Sequence, residues 1–290
     1  MREGTRKLIL LLFIFVGLSI LNYPFLSQLV NMRSQSTVIQ SYEDDVEGLS
    51  ENEKEDMLAQ AREYNQELAG TSAVSIEDPF SKTEQMDARY ESLLNPDGSG
   101  IMGYVKIPSI RVSLPVYHGT SSRALEAGAG HLEGSSLPVG GESSHAVISA
   151  HNGLPSKLMF TDLDQLEVGE HFFLSVMGEE LAYEVDQILT VKPEETEGLQ
   201  IEAGQDYVTL LTCTPYGVNS HRYLVRGHRI PWEDSETDAV LTPGGKRSAG
   251  MLVLIVSVIV LAASAVILYL PKGKKRRPSG RGGHKKREAR

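Results

Sequence analysis

Cys213 is the residue of this chain whose type and position best suit nucleophilic chemistry. It is the only cysteine among 290 residues, and it ends a strand-like run over residues 207–213 that the turn Thr214-Pro215-Tyr216-Gly217 follows at once. Because a lone cysteine cannot close an internal disulfide, its place at a strand end beside a turn suggests chemical use. The alternative is a small buried apolar residue, which is the commoner role of a lone cysteine.

Arg222 lies nine positions after Cys213 and begins a second strand-like run over residues 222–226. Two such runs joined by a short loop predict neighbouring antiparallel strands, which would place a guanidinium close to the sulfur. A positive group at that place stabilises the oxyanion that forms when a thiolate attacks a carbonyl. Considered alone, Arg222 is also compatible with a surface ion pair.

A cysteine nucleophile also needs a lowered pKa and a proton carrier for the leaving group, and histidine is the usual carrier. His151 is the best placed, because it directly follows the strand-like run 146–150, and strand ends commonly carry the side chains of a cleft. It is otherwise compatible with a hydrogen-bonded turn residue. The alternative histidines are His145 at the opposite end of the same run, His118 and His131 in glycine-flanked loops, and His221 beside Arg222.

A metal site is poorly supported by the sequence. No His-x-His or His-x-x-x-His pair occurs in the chain. A zinc site built from cysteine and histidine also normally uses more than one thiolate, and this chain has a single cysteine. We therefore predict no metal cofactor.

Short β-rich runs fill the region that must position these side chains. They begin after the turn Asn95-Pro96-Asp97-Gly98, and glycine- and proline-containing turns separate them. Many short strands at this spacing predict a single mainly β domain, either a barrel or a sandwich. The predicted strands cover residues 102–107, 112–117, 146–149, 172–176, 181–191, 207–212 and 223–229.

The region before the predicted strands contains a helix and then an aperiodic stretch. Ser50-Glu51-Asn52-Glu53 has the form of a capping box, and apolar residues recur after it at helical spacing. These signals predict an amphipathic helix over residues 51–68. Residues 71–95 show little periodicity and are typical of a loop.

Two apolar segments, residues 8–30 and 250–270, are each long enough to cross a bilayer. We interpret the first segment as an uncleaved signal-anchor rather than a cleaved signal peptide, because it lacks a good cleavage site. Basic residues precede the first segment and follow the second, so both termini are predicted to be cytoplasmic. Between the two segments lie 15 of the 28 basic residues and 36 of the 38 acidic residues. This region therefore carries a net charge of −21, which argues against nucleic acid as a partner.

The chain resembles the sortases, and in particular the class C sortases that polymerise pilins in Gram-positive bacteria. The resemblance rests mainly on Thr209-Leu210-Leu211-Thr212-Cys213-Thr214-Pro215-Tyr216 and on Asn219-Ser220-His221-Arg222-Tyr223-Leu224-Val225-Arg226-Gly227. It extends over residues 103–232. Further matching motifs are Leu114-Pro115-Val116-Tyr117-His118-Gly119-Thr120, Gly128-Ala129-Gly130-His131-Leu132-Glu133-Gly134-Ser135-Ser136-Leu137-Pro138, and Ile148-Ser149-Ala150-His151 continuing to Phe160-Thr161-Asp162-Leu163-Asp164.

The resemblance implies an eight-stranded β-barrel in which Cys213 is the nucleophile, His151 the general acid and base, and Arg222 the residue that steadies substrate and oxyanion. Asp78-Pro79-Phe80 resembles the class C lid, in which Asp78 pairs with the arginine and Phe80 covers the cysteine. Two departures concern the cleft near His151: members often have glycine where this chain has Ala150, and some have arginine where it has Asn152.

The implied reaction is cleavage of an LPXTG-type sorting signal between threonine and glycine, followed by transfer of the acyl group to a lysine amine of another pilin subunit. Its partners are pilin subunits with their acceptor lysines and the cytoplasmic membrane, and no cofactor is required. The alternative is a non-catalytic, membrane-tethered β-domain that binds or scaffolds surface proteins. A third interpretation, a wall-attached sorting substrate, fails because Leu241-Thr242-Pro243-Gly244-Gly245 is not an LPXTG motif.

The expected domain order has six parts, with an extracellular catalytic domain between two membrane segments. They are a cytoplasmic stub and N-terminal signal-anchor (1–31), an extracellular acidic helix and lid segment (32–95), a sortase-type catalytic β-barrel (96–235), a linker (236–249), a C-terminal transmembrane helix (250–270) and a basic cytoplasmic tail (271–290).

Overall fold

The computed structural model describes residues 3–71, 76–81, 86–154, 157–232 and 249–269. The chain divides into two compact units, one formed by Met1–Asn22 with Ser248–Arg290 and the other by Tyr23–Arg247. The predicted basic tail and almost all of the predicted linker lie outside the described residues.

Eight strands of the second unit close into a barrel in the order β1-β2-β3-β4-β7-β8-β6-β5. The sheet is mixed, because β2 pairs with β3 and β4 pairs with β7 in parallel while the other neighbours are antiparallel. The strands are β1 Ile101–Ile107, β2 Val112–His118, β3 Ala129–His131, β4 Ser144–Ser149, β5 His171–Val176, β6 Glu179–Val191, β7 Asp206–Thr214 and β8 His221–Ile230.

All seven strands predicted from the sequence are confirmed, and the barrel implied by the resemblance is confirmed with them. The missing eighth strand is β3, which has only three residues and lies in a glycine-containing stretch. The prediction that His118 and His131 lie in loops is wrong. His118 ends β2 and His131 ends β3, and both side chains are buried because they pack under a tyrosine from a distant helix.

The barrel interior is filled by large side chains packed at close distance. The rings of Phe172 and Tyr183 stack with centroids 5.6 Å apart, and neither side chain is exposed. Burying one such ring stabilises the fold by about 1.5–3 kcal/mol. Gly227 is required opposite them, because a Cβ there would lie 2.6 Å from the Phe172 ring.

Two long helices precede the barrel, α1 (Glu3–Glu47) and α2 (Glu51–Gly70). The predicted capping box is present at the start of α2, where the Ser50 and Glu53 side chains each accept the other residue's backbone N–H. In α1 the Tyr42 hydroxyl donates to the Met102 carbonyl at 3.1 Å and accepts from the Met177 amide at 2.9 Å. These bonds attach the C-terminal part of α1 to the barrel. The helix ends at Glu47, well beyond the predicted apolar segment, which ends at residue 30.

Two shorter helices, α3 (Ala88–Ser92) and α4 (Ser122–Ala127), lie between the long helices and β3, and α5 (Ala249–Tyr269) follows the barrel. By length and composition, Gly4–Pro24 within α1 is the described helical stretch that suits a membrane span. The described apolar part of α5 is shorter, Ile255–Ser264. The N-terminal apolar helix suggests a membrane anchor.

Candidate active site

Cys213 and Arg222 face each other across neighbouring strands. The antiparallel pairing of β7 with β8 places Cys213 directly opposite Arg222. Residues opposite one another in such a pair have Cβ atoms about 4.5–5.5 Å apart, so the guanidinium lies beside the thiol. The hairpin predicted from the sequence therefore brings these two groups together.

His151 reaches the same place through the parallel pairing of β4 with β7. The last pair in that register is Ser149 with Leu211, and the Ala150 amide donates to the Leu211 carbonyl at 3.1 Å. His151 and Cys213 each lie two residues beyond that pair, on the same side of the sheet. The three predicted side chains thus meet at the carboxyl end of two parallel strands.

Asn152 and Thr212 fix the rim around these side chains, a role that the sequence alone does not indicate. The Asn152 amide donates from Nδ2 to the Cys213 carbonyl at 2.8 Å. The Thr212 hydroxyl donates to the Ala150 carbonyl at 2.7 Å. The sequence does show that both are polar residues at strand ends. Their hydrogen-bond partners, however, depend on the pairing of β4 with β7, whose residues are about 60 positions apart.

Residues 76–81 lie over this site without regular secondary structure. Asp78 accepts two hydrogen bonds from Arg222, with distances of 2.6 Å to Nε and 2.8 Å to Nη2. The Phe80 ring lies 5.7 Å from the His151 ring and 5.2 Å from the Arg222 guanidinium carbon. Ile76 and Phe80 pack against an apolar cluster that includes Leu211. The segment therefore contacts Arg222 and His151 directly, and the Asp78 charge acts on Cys213.

The electrostatics of Cys213 differ from the sequence-based expectation of a lowered pKa. Burial raises the pKa of the thiol, the Arg222 charge opposes that change, and the Asp78 charge raises the pKa further. The negative charge of Asp78 balances the positive charge of Arg222, and the hydrogen bonds from Arg222 to Asp78 raise the pKa of the guanidinium. With residues 76–81 in place, the raised pKa favours the neutral thiol over the thiolate.

Burial lowers the pKa of His151, so its imidazole is neutral at neutral pH and can accept a proton. Its ring nitrogens make no hydrogen bond within the described part of the chain, and the neighbouring Phe80 ring covers one side. An unengaged, half-buried imidazole at a strand end can both take and give a proton.

The other candidate histidines are held by structural hydrogen bonds. His131 contacts the Tyr90 hydroxyl at 2.8 Å and the Ser136 carbonyl at 2.8 Å, and burial lowers its pKa to about 4. His145 contacts the Gln200 carbonyl and the Thr209 hydroxyl, and both nitrogens of His118 face backbone carbonyls. These rings organise the fold and lie away from the sulfur. His221 lies opposite Thr214, next to the site, and contacts the Ser220 hydroxyl at 2.9 Å.

No group of three or more histidine, cysteine, aspartate or glutamate side chains is placed to hold a metal ion among the residues that the structure describes. What the site offers is a thiol, an imidazole, a guanidinium and a covering carboxylate. This arrangement suits acyl transfer through a thioester, in which a thiolate attacks and an imidazole moves protons.

Comparisons with known proteins agree with this chemistry. The sortase domain family matches residues 105–230. Sortase C-1 from Actinomyces oris is 48% identical, with a TM-score of 0.59 and coverage of 62% of this chain and 99% of that chain. Sortase C1 from Streptococcus agalactiae is 49% identical, with a TM-score of 0.63 and coverage of 68% and 100%.

A more distant curated relative is sortase A from Bacillus anthracis. It is 29% identical over 150 residues, which are 52% of this chain and 70% of that protein. The likeness to solved class C enzymes is higher and spans nearly their whole length. A non-catalytic β-domain does not account for these relationships. The chain belongs to the sortase family and, within it, to the class C sortases, which are cysteine transpeptidases.

Proposed function

We propose that this transpeptidase builds covalent pili by joining pilin subunits through isopeptide bonds. The observation that carries the proposal is the convergence of Cys213, Arg222 and His151 at the end of β4 and β7. Further support comes from the 44% identity to the Streptococcus pneumoniae sortase C whose crystal structure bears on catalysis and pilin substrate specificity.

In the first half-reaction, the Cys213 thiolate attacks the threonine carbonyl of an LPXTG-type sorting signal. Arg222 lies opposite the sulfur and stabilises the oxyanion as it forms. His151 takes the proton of the Cys213 thiol when the thiolate forms. The resulting imidazolium then protonates the departing glycine amine, the peptide bond breaks and a thioester remains on Cys213. Covalent catalysis thereby divides one difficult exchange into two easier steps.

In the second half-reaction, a lysine amine of another pilin subunit attacks the thioester. His151 takes the proton released from the amine, the carbon–sulfur bond breaks and the sulfur leaves as a thiolate. The product is an isopeptide bond between two subunits. The neutral imidazole that the first half-reaction leaves behind is the form needed here, so the same residue serves both steps.

Residues 76–81 act in this proposal as a lid that must move before the sorting signal binds. Asp78 accepts the hydrogen bonds that the Arg222 guanidinium would otherwise donate to a substrate, and the pKa of the covered thiol is raised. Lid opening would remove both the burial and the nearby carboxylate, and both changes lower the thiol pKa.

The proposed location is the outer face of the cell membrane. The apolar stretch Gly4–Pro24 provides one anchor, and α5 with the basic residues after it is proposed as a second. Both termini would then be cytoplasmic and the barrel extracellular, because basic residues flank both segments on their outer ends.

Trapping the thioester tests the proposed function. The full-length protein carrying Asp78→Ala and Phe80→Ala is incubated with an LPXTG-type peptide and its intact mass is measured. We expect a mass increase equal to the peptide up to threonine, located on Cys213 by peptide mapping. The same protein with Cys213→Ala is the matched control and should gain no mass.

The absence of an adduct on the folded, lid-opened enzyme would contradict the catalytic assignment. In cells, Cys213→Ala should abolish the high-molecular-weight ladder of pilus polymers. A normal ladder in that strain would show that another enzyme joins the subunits.

A further inference from the structure

Ser149 is a buried serine on the face of β4 that also carries His151. Side chains alternate along a strand, and Ser149 pairs with Leu211, so Leu211 and Cys213 of β7 lie on this same face. Two residues of a strand span about 7 Å, which is the distance along the sheet from Ser149 to the level of His151 and Cys213. Ser149 therefore belongs to the floor of the groove that leads to the sulfur.

The Ser149 hydroxyl has no hydrogen-bond partner among the residues that the structure describes, although the side chain is fully buried. The nearby buried Ser135 is different, because its hydroxyl donates to the Leu132 carbonyl at 2.7 Å and accepts from the Val147 amide at 3.1 Å. A buried hydroxyl without a partner is costly to the free protein. At the floor of a groove, such a group indicates a partner that arrives with a ligand.

The lid lies over the surroundings of Ser149. Leu211, directly across from Ser149, packs in one apolar cluster with Ile76 of the lid. His151 is the next residue along β4 on this face, and its ring lies 5.7 Å from the ring of Phe80. The lid movement that the proposed function requires therefore opens the space above the hydroxyl.

The other sides of Ser149 are closed by the barrel and by α4. Gly130, its neighbour on β3, has no side chain, and a Cβ there would lie 3.2 Å from the Leu125 side chain of α4. Ile148 and Ala150 point to the opposite face of β4 and pack in the main core. The lid side is therefore the approach by which a ligand reaches the hydroxyl.

The path of the lid gives the spacing of a peptide in this groove. Ile76 packs beside Leu211, whereas Asp78 binds the arginine that lies opposite Cys213. Two residues of the lid thus cover the same length as the two residues from Leu211 to Cys213 on β7. A sorting signal whose threonine lies at Cys213 then places the residue two positions earlier, the proline of LPXTG, over Ser149.

We propose that the Ser149 hydroxyl donates a hydrogen bond to the backbone carbonyl of the sorting-signal proline. The inference rests on the proposed function and adds a substrate-binding residue to the groove that the lid covers. Proline has no N–H, so its carbonyl is the backbone group that the hydroxyl can bind. A contact fixed two residues before the threonine sets the register of the signal and holds the scissile carbonyl at Cys213.

The first test measures peptide binding in the full-length protein with the lid opened by Asp78→Ala and Phe80→Ala. Ser149→Ala is added, and the rate of thioester formation is followed by intact mass at increasing concentrations of an LPXTG-type peptide. We expect the half-saturating peptide concentration to rise about fivefold, which is typical for one neutral hydrogen bond. The limiting rate at saturation should change less than about twofold, because the proton-transfer groups are untouched.

The thermal midpoint separates this role from a structural one. Ser149→Ala removes a hydroxyl that has no partner in the free protein, so the midpoint should stay the same or rise. Ser135→Ala is the matched control, since it removes a buried hydroxyl with two partners. It should lower the midpoint and leave the half-saturating peptide concentration unchanged.

A pair of modified peptides locates the contact. In one peptide an E-alkene replaces the bond between proline and X, which removes the proline carbonyl. With this peptide, Ser149→Ala should cause no further loss of binding. In the other peptide the alkene replaces the bond between X and threonine, and the fivefold effect of Ser149→Ala should be retained.

An unchanged half-saturating concentration in Ser149→Ala would overturn the proposal. A loss of thermal midpoint as large as that of Ser135→Ala would also overturn it, because Ser149 would then be structural. A fivefold effect that persists with the alkene after proline contradicts the assigned carbonyl. If the lid-opened parent forms no thioester, the proposed function fails and the Ser149 contact fails with it, whereas normal thioester formation with unchanged peptide binding contradicts the Ser149 contact alone.

Discussion

Two arginines on strand β8 make nearly the same ion pair, and their surroundings differ. Arg222 and Arg226 are four residues apart, so their side chains lie on the same face of the strand. Arg222 donates to Asp78 at 2.6 and 2.8 Å, and Arg226 donates to Asp186 at 3.0 and 3.0 Å. In each pair the guanidinium makes a bidentate hydrogen bond to one carboxylate.

The carboxylates come from different parts of the molecule. Asp186 belongs to β6, the hydrogen-bonded neighbour of β8, and Arg226 also contacts Glu202 at 3.3 Å and lies 4.0 Å from the centre of the Tyr207 ring. Asp78 belongs to the lid, which has no regular structure and shares no strand pairing with the barrel.

In the proposed mechanism, the same kind of interaction serves stability at Arg226 and control at Arg222. Separating Arg226 from Asp186 would disturb two paired strands. Separating Arg222 from Asp78 disturbs no strand pairing, and in the proposed mechanism a substrate oxyanion then takes the place of the carboxylate. The geometry of an ion pair therefore matters less to its role than the segment that supplies each partner.

The largest expected effect comes from replacing each arginine by lysine. Arg222→Lys keeps the charge but loses the planar fork, and we expect acyl-enzyme formation to fall about 100-fold. Arg226→Lys should change that rate less than about threefold, because Arg226 lies on the strand away from the sulfur. Rates of thioester formation with an LPXTG-type peptide measure both. Equal losses in the two variants would remove the functional distinction between the arginines.

A smaller effect is expected for the reactivity of the thiol. Asp78→Ala with Phe80→Ala uncovers Cys213 and removes the nearby carboxylate, so labelling by a thiol reagent at neutral pH should speed up by about an order of magnitude. Asp186→Ala is the control, since it removes the other carboxylate and should leave labelling unchanged. Equal labelling rates in the lid variant and the parent would contradict the lid.

The pH dependence of labelling should shift in the same variant. Burial raises the pKa of the covered thiol, and the Asp78 charge raises it further against the opposing Arg222 charge, so the labelling curve of the parent lies at higher pH than that of an exposed thiol. Removing Asp78 and Phe80 takes away both causes, and the labelling curve should move towards lower pH. The same curve measured on Asp186→Ala should coincide with that of the parent. An upward or absent shift in the lid variant would show that the lid does not set the thiol pKa.

The sequence was sufficient for the parts of the molecule that local pattern determines. The seven predicted strands, the capped helix α2 and the pairing of Cys213 with Arg222 all follow from alternation, caps and a short hairpin. The strand β3 could not be found this way, because three residues give no alternation and its stability comes from β2 and β4.

The rest depends on contacts between distant residues. The buried roles of His118 and His131 follow from Tyr90, whose hydroxyl and ring pack against them from another helix. The position of His151 follows from the parallel pairing of β4 with β7, for which the family resemblance was needed. The pKa of Cys213 is raised by burial and by Asp78 of the lid, which lies more than 130 residues earlier in the chain, so no local sequence pattern indicates the shift.

The smallest expected effect concerns stability, and it tests the comparison most directly. Asp186→Asn should lower the free energy of unfolding by about 1–2 kcal/mol, between the values for exposed and buried pairs, because the Arg226 and Asp186 side chains are 15% and 24% exposed. The Arg222 and Asp78 side chains are less exposed, at 10% and 17%, but Asp78 belongs to a segment that pairs with no strand. Asp78→Asn should therefore change the free energy of unfolding by less than about 0.5 kcal/mol, because the lid can open and Arg222 then gains water. Chemical denaturation of the two variants measures both values. A loss for Asp78→Asn as large as that for Asp186→Asn would mean that the lid is held as firmly as a barrel strand, and the ion pair at Arg222 would then be structural.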